Sequence, residues 1–164
     1  MDAQTGTYNR HLLTDSLALI TGYGRMQGIV HRRNDARFEG KPLEEVVTRV
    51  QQDADCVMVN RNAGSGTRVL IDKLLGERRP PGHGTQTKSH NAVAVSVAQG
   101  RADWGVAIDT VAARYGLGFI PLQEEQYDFI VPTARLERPA VRAFRALLDD
   151  SHMRAELAAL GFRL

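Results

Sequence analysis

Apolar residues never run for more than four positions in this chain, as in Leu17–Ile20 and Ala92–Val95, and the short runs alternate with stretches of helical period. A membrane-spanning helix needs ~20 consecutive apolar residues, so the pattern excludes one. Brief strands alternating with amphipathic helices bury their faces by layering, which makes α/β the expected fold class. The 164 residues suffice for a globular domain, and an apolar share of 43% against 24% charged argues against a disordered chain.

The same reading orders the elements. Leu17–Tyr23 and Met26–His31 read as two extended runs meeting near Gly22 and Gly24. Pro42 opens a helix with Leu43, Val46, Val47 and Val50 on one face. Cys56–Asn60 reads as a buried strand and Thr67–Leu75 as a helix stopped by Gly76. A basic surface loop, Glu77–Gly84, leads to a helix over His90–Gln99 that Ser89 caps and Gly100 ends. Trp104–Ile108 is a strand and Asp109–Tyr115 a helix. Phe119–Leu122 and Phe129–Pro132 are strands on either side of an acidic turn at Gln123–Gln126. Pro139 begins a helix expected to bury Val141, Phe144, Leu147 and Leu148, and a second amphipathic segment carries Met153, Leu157 and Leu160.

Charge narrows the partners. A net charge of +2, from 21 basic and 19 acidic residues, is too even to predict direct nucleic-acid or membrane binding. Lys41, Lys73 and Lys88 are the only lysines, and the arginine excess suits bidentate oxyanion contacts or reflects base composition. The lone Cys56 excludes an internal disulfide and a cysteine metal cluster, and His11, His31, His83 and His152 show no metal-ligand spacing. No cofactor or metal is expected. Met1–Arg10 is polar and lacks the apolar core of a signal peptide, so a cytoplasmic protein is expected.

The most informative segment is Asn60-Arg61-Asn62-Ala63-Gly64-Ser65-Gly66-Thr67-Arg68, between the buried strand and its helix. Gly64 and Gly66 let the backbone turn tightly and approach a ligand. Ser65 and Thr67 place hydroxyls where the first helical N–H groups lack partners and the helix dipole is positive, while Arg61 and Arg68 could add charge-assisted bonds. An anion site and a plain strand–turn–helix capped by Ser65 or Thr67 both fit these residues. A Walker loop does not, because no Gly-Lys-Ser/Thr follows, and neither does a dinucleotide fingerprint.

The run Asn-Arg-x-x-Gly-Ser-Gly-Thr-Arg-Val-Leu-Ile-Asp at 60–72 resembles the signature of the PBP-like domain family, relatives of periplasmic molybdate-binding proteins that occur alone or fused to DNA-binding or molybdopterin-biosynthesis modules. Further elements resemble the family in order: Thr5-Gly6-Thr7-Tyr8-Asn9, Arg25-Met26-Gln27-Gly28-Ile29 and Asn34, where Asp35 replaces a proline. Ser89-His90-Asn91-Ala92-Val93-Ala94, Gly100–Gly105, Phe119–Leu122 and Glu125–Asp128 complete the series. The resemblance implies a two-lobe type 2 periplasmic-binding-protein fold. One lobe would comprise 56–118 and the other 1–55 with 119–164, with crossovers near Ala54 and Gly118. It also implies that the outer lobe lacks its first strand and helix, which would weaken ligand binding and favour self-association over the edge at Leu17–Tyr23.

Carried onto this chain, the resemblance implies a small anion in an interlobe cleft, held by Gly64, Ser65, Gly66, Thr67 and Arg68, with Ser89 and His90 at the second helix start and Tyr127 on the returning segment. Without it, His90 reads as a buried, hydrogen-bonded histidine. Asp103 either braces the cleft or caps a turn, and Glu124, Glu125 and Asp128 form a solvated face. Three readings of function follow. The favoured one is a non-catalytic binding or sensing domain for molybdate or tungstate. The second is a module binding a molybdopterin-related ligand. The third is a hydrolase with Ser65 or Ser89 as nucleophile and His90 as base, which is disfavoured because adjacent residues at a helix start point in different directions.

Overall fold

The computed structural model describes residues 14–164, so the expected Thr5–Asn9 element, His11 and the polar start lie outside the described residues. By internal contacts the chain forms two units, one from Met26–Gln123 and one from the described part of Met1–Arg25 with Glu124–Leu164. In chain order the elements are β1 (Leu17–His31), α1 (Leu43–Gln52), β2 (Met58–Arg61), α2 (Gly66–Leu75), β3 (Gln86–Thr87), α3 (His90–Ala98), β4 (Trp104–Ile108), α4 (Asp109–Arg114), β5 (Gly118–Pro132), α5 (Pro139–Asp149) and α6 (Ser151–Ala159). The sheet order is β3-β2-β4-β1-β5. β2 runs parallel to β3 and β4, and β1 runs antiparallel to β4 with Gln27 opposite Ile108 and His31 opposite Trp104. No helix among the described residues is long and apolar enough to cross a membrane.

In the Met26–Gln123 unit, the period of two along each strand sorts side chains onto two covered faces. Ile29, Met58, Trp104 and Val106 pack with Phe38, Val46 and Val50 of the α1 region and with Ile71 and Leu75 of α2. Val30, Val59 and Ala107 pack on the other face with Val93, Ala94 and Val97 of α3 and Ala112 of α4. β2 and β4 are therefore buried along their whole length. Gly105 lets α3 approach, since a Cβ there would lie 2.6 Å from Val93 Cγ1 and 2.9 Å from the Val59 carbonyl. Cys56 is buried in the first cluster, and burial pushes its thiol pKa up to about 12, which keeps it inert.

Residues 26–55, expected from the sequence to share a lobe with 119–164, fall within this unit by their contacts. Phe38, Val46 and Val50 are buried against β2, β4 and α2, so contacts divide the chain at Arg25/Met26 and Gln123/Glu124.

An ionic hub organises this unit. Asp103 Oδ1 accepts from Arg32 Nη2 and Arg37 Nη2, both at 2.7 Å, and Oδ2 accepts from the Val57 amide at 2.9 Å. Arg37 also grips Asp35, Nε to Oδ1 at 3.0 Å and Nη2 to Oδ2 at 2.7 Å. Burial pushes the Asp103 carboxyl up, but the bonds from Arg37, the Val57 amide and Arg32 outweigh it and hold it below its ordinary value. The Arg37 hydrogen bond likewise lowers Asp35 against its burial. Asp103, read from the sequence as either a cleft brace or a turn cap, makes these contacts within this unit.

The other unit differs from the expectation in three places. The runs Leu17–Tyr23 and Met26–His31 are a single strand. The bare backbone at Gly22 accommodates a close neighbour, because a Cβ would lie 2.1 Å from the Tyr127 carbonyl oxygen. The expected acidic turn at Gln123–Gln126 is part of β5, with Glu125 paired to Arg25 and Glu124 to Arg163 at 2.8 Å. Cross-strand cations make the acidic residues compatible with extended backbone. Rings of Tyr23, Tyr127, Phe129, Phe144 and Phe162 form a chain of stacked and edge contacts. Leu147, expected to be buried, is 51% exposed.

The depressed Asp35 and Asp103 carboxyls contribute stability above the unfolded value of about 4, and that contribution is lost as pH falls through their lower folded values. Asp103→Asn is expected to cost about 2 kcal/mol at pH 7 and distinctly less near pH 3, read by urea unfolding at both pH values. An equal cost at both would show that the carboxylate charge is not the source.

Candidate functional site

The parallel register sets the site's geometry. Asn60 lies opposite Gln86 and Arg61 opposite Thr87, so β2 and β3 end side by side, and the helices that follow begin at Gly66 and His90 on the same edge of the sheet. β4 runs the same way and is followed by α4 at Asp109. The C-terminal edge of a parallel sheet, lined by helix N-termini, is where such folds present unpaired N–H groups and positive dipole ends.

The turn into α2 is built by its own residues. Gly64 has φ +83°, which favours glycine. Ser65 is the N-cap: its Oγ donates to the Asn62 carbonyl at 3.0 Å and accepts from the Arg68 amide at 3.2 Å. The Ala63 amide donates to Gln86 Oε1 at 3.3 Å, which ties the loop to β3. The amides of Gly64, Gly66 and Thr67 have no hydrogen-bond partner among the described residues, as a helix start requires. Thr67 is buried and its hydroxyl forms no bond to a described residue. Arg68 Nε pairs with Asp72 Oδ1 at 2.8 Å and its Nη1 donates to the Arg61 carbonyl at 3.3 Å, so it clamps the first turn of the helix.

The second helix start is joined to the first through Arg61. This residue is only 8% exposed, and its Nη1 lies 3.1 Å from His90 Nδ1. A guanidinium has donors only, so Nδ1 of His90 accepts and the ring proton sits on Nε2. Ser89 caps α3 by accepting from the Ala92 amide at 3.1 Å. Gly64, Ser65, Gly66, Thr67, Arg68, Ser89 and His90 thus gather within one unit around Arg61, which the sequence reading offered only as an added charge. A basic residue as the last member of a buried strand is the signal that could have singled it out. Tyr127 belongs to the other unit, where it stacks on Tyr23 at 5.6 Å with the Arg25 guanidinium 5.2 Å above its ring.

Chemically, the arrangement offers donors: backbone amides, the Thr67 hydroxyl and a guanidinium beside a histidine. The two serines considered as nucleophiles serve as N-caps. Among the described residues no three His, Cys, Asp or Glu side chains gather as a metal site. Ser65→Ala is expected to cost about 1 kcal/mol by loss of the cap, seen as a lower urea midpoint at unchanged slope. No loss of stability would mean the cap bond is not formed in solution.

Comparison with known proteins gives the family and the fold. Residues 1–149 match the PBP superfamily domain. An uncharacterised Bacillus subtilis protein, YvgK, is 32% identical over 171 residues, covering 97% of this chain and 52% of that protein, so the chain spans about half the length of this relative. Among solved structures, a Clostridium perfringens protein with bound phosphate superposes with a TM-score of 0.69 at 10% identity, covering 90% of this chain and 71% of the other. The ancestral amino acid-binding protein AncCDT-1 gives 0.60 at 16% identity, covering 90% and 63%. At such identities the likeness concerns the fold alone. With nearly the whole chain matched to one family and the same fold in solved binding proteins, the chain belongs to the PBP superfamily.

Proposed function

We propose that this chain is a ligand-binding domain, non-catalytic, whose site at the ends of β2 and β3 takes a small tetrahedral oxyanion, with molybdate or tungstate the foremost candidates. The observation that carries the reading is the set of unpartnered amides at Gly64, Gly66 and Thr67 beside a buried arginine, at the start of one helix and next to the start of another. Amides at a helix start and a guanidinium are the groups that recognise oxyanions without a metal. A structural neighbour solved with phosphate supports a tetrahedral ligand for this fold. The resemblance of residues 60–72 to the domains related to molybdate-binding proteins favours molybdate and tungstate within that class.

The test is thermal and calorimetric titration with molybdate, tungstate, sulfate, phosphate and a panel of free amino acids. An oxyanion at one hundred times its dissociation constant is expected to stabilise the chain by about 2.7 kcal/mol. Thr67→Val keeps the buried shape and removes the hydroxyl, so it is expected to weaken binding while changing the ligand-free melting point little. Stabilisation by amino acids alone, or an oxyanion response equal in wild type and Thr67→Val, would overturn the proposal.

A further inference from the structure

The unit containing Glu124–Leu164 carries a groove of about 270 Å³ between Ala18–Thr21 of β1 and the α5 region, lined there by Leu136, Arg145, Leu148 and Asp149. In the sheet order β1 lies between β4 and β5, yet β4 pairs only with Gln27–His31. Toward the start of β1, Gly24 bridges Arg163, and the Ser16 carbonyl just ahead of the strand accepts from the Thr133 amide at 2.9 Å. Leu17–Tyr23 contains no charged residue and no proline, which are the usual devices that keep a strand edge from pairing with another chain.

The rim chemistry identifies the occupant. Arg145 and Asp149 stand four residues apart on α5, both line the groove, and neither has an ion pair among the described residues. A basic and an acidic group of this kind, flanking an uncharged edge, are self-complementary. In a two-fold contact each copy sets its Arg145 against the other's Asp149. We infer that Ala18–Thr21 and the Arg145–Asp149 face of α5 form an isologous interface with a second copy of this chain.

Sedimentation velocity over a concentration series, with the chain free of ligand, tests this. The wild type is expected to form a dimer, and Arg145→Asp, which sets like charges against each other, is expected to raise the dissociation constant about ten-fold or more. The charge-exchanged double variant, Arg145→Asp with Asp149→Arg, is expected to recover the dimer, and because both side chains are exposed the recovery separates interface from fold. Hydrogen exchange at Ala18–Thr21 should slow as concentration rises. A wild type that stays monomeric overturns the inference, as does a dimer indifferent to Arg145→Asp or a double variant that fails to recover. A monomer with slow exchange at Ala18–Thr21 would assign the edge to a segment of the same chain, which also overturns it.

Discussion

The carboxylate of Asp103 is the interaction on which the rest of the Met26–Gln123 unit depends. It joins Arg32 just past β1, Arg37 in the following turn, the Val57 amide ahead of β2, and its own position ahead of β4. The backbone adds a bond from the Asp103 amide to the Val57 carbonyl at 2.7 Å. These contacts set the starting points of two parallel strands against each other. Parallel strands have no hairpin to impose register, and here one side chain supplies it. Because β2 is short, the register at Met58 also determines where the strand ends and the Asn62–Ser65 turn begins.

The chemistry at the other end of β2 follows from that placement. Three parallel strands finish on one edge, and the chain can leave each of them only by starting a helix that returns over the sheet. Helix starts expose amides and positive dipole ends together, so their convergence favours anions before any side chain is chosen. The side chains then sharpen the preference: a nearly buried guanidinium reaches from β2 to the ring at the start of α3. Ser65 and Ser89 hold the helix starts in shape, and the groups left to meet a ligand are mostly backbone.

Much of this was legible in the sequence. The helices beginning near Gly66 and His90, with Ser65 and Ser89 as caps, follow from local hydrogen bonding, which depends on a few adjacent residues. β4 was legible because a run buried on both faces shows as continuous apolar sequence. What could not be read was set by residues far apart in the chain. Gly22 and Gly24 read as the junction of two extended runs, but the neighbour that makes a bare backbone necessary at Gly22 is Tyr127. Glu124 and Glu125 suggest a solvated turn until Arg163 and Arg25 are placed beside them. Arg61 was visible as a charge, while its burial and its contact with His90 depend on the pairing of β2 with β3.

Gly105 has an effect that reaches past the core in which it sits. It is the point where α3 rests on the sheet, separated from Val93 by less than the thickness of a methyl group. The height of that helix above the strands is therefore set by a missing side chain, and His90 opens the same helix. A larger residue at 105 would raise the whole rod and draw the imidazole away from Arg61 without altering any group that could touch a ligand. The tuning of this helix-start edge is in this sense mechanical: its spacing is a thickness at the back of the sheet, and substitutions there would act on the edge as a shim acts on a bearing.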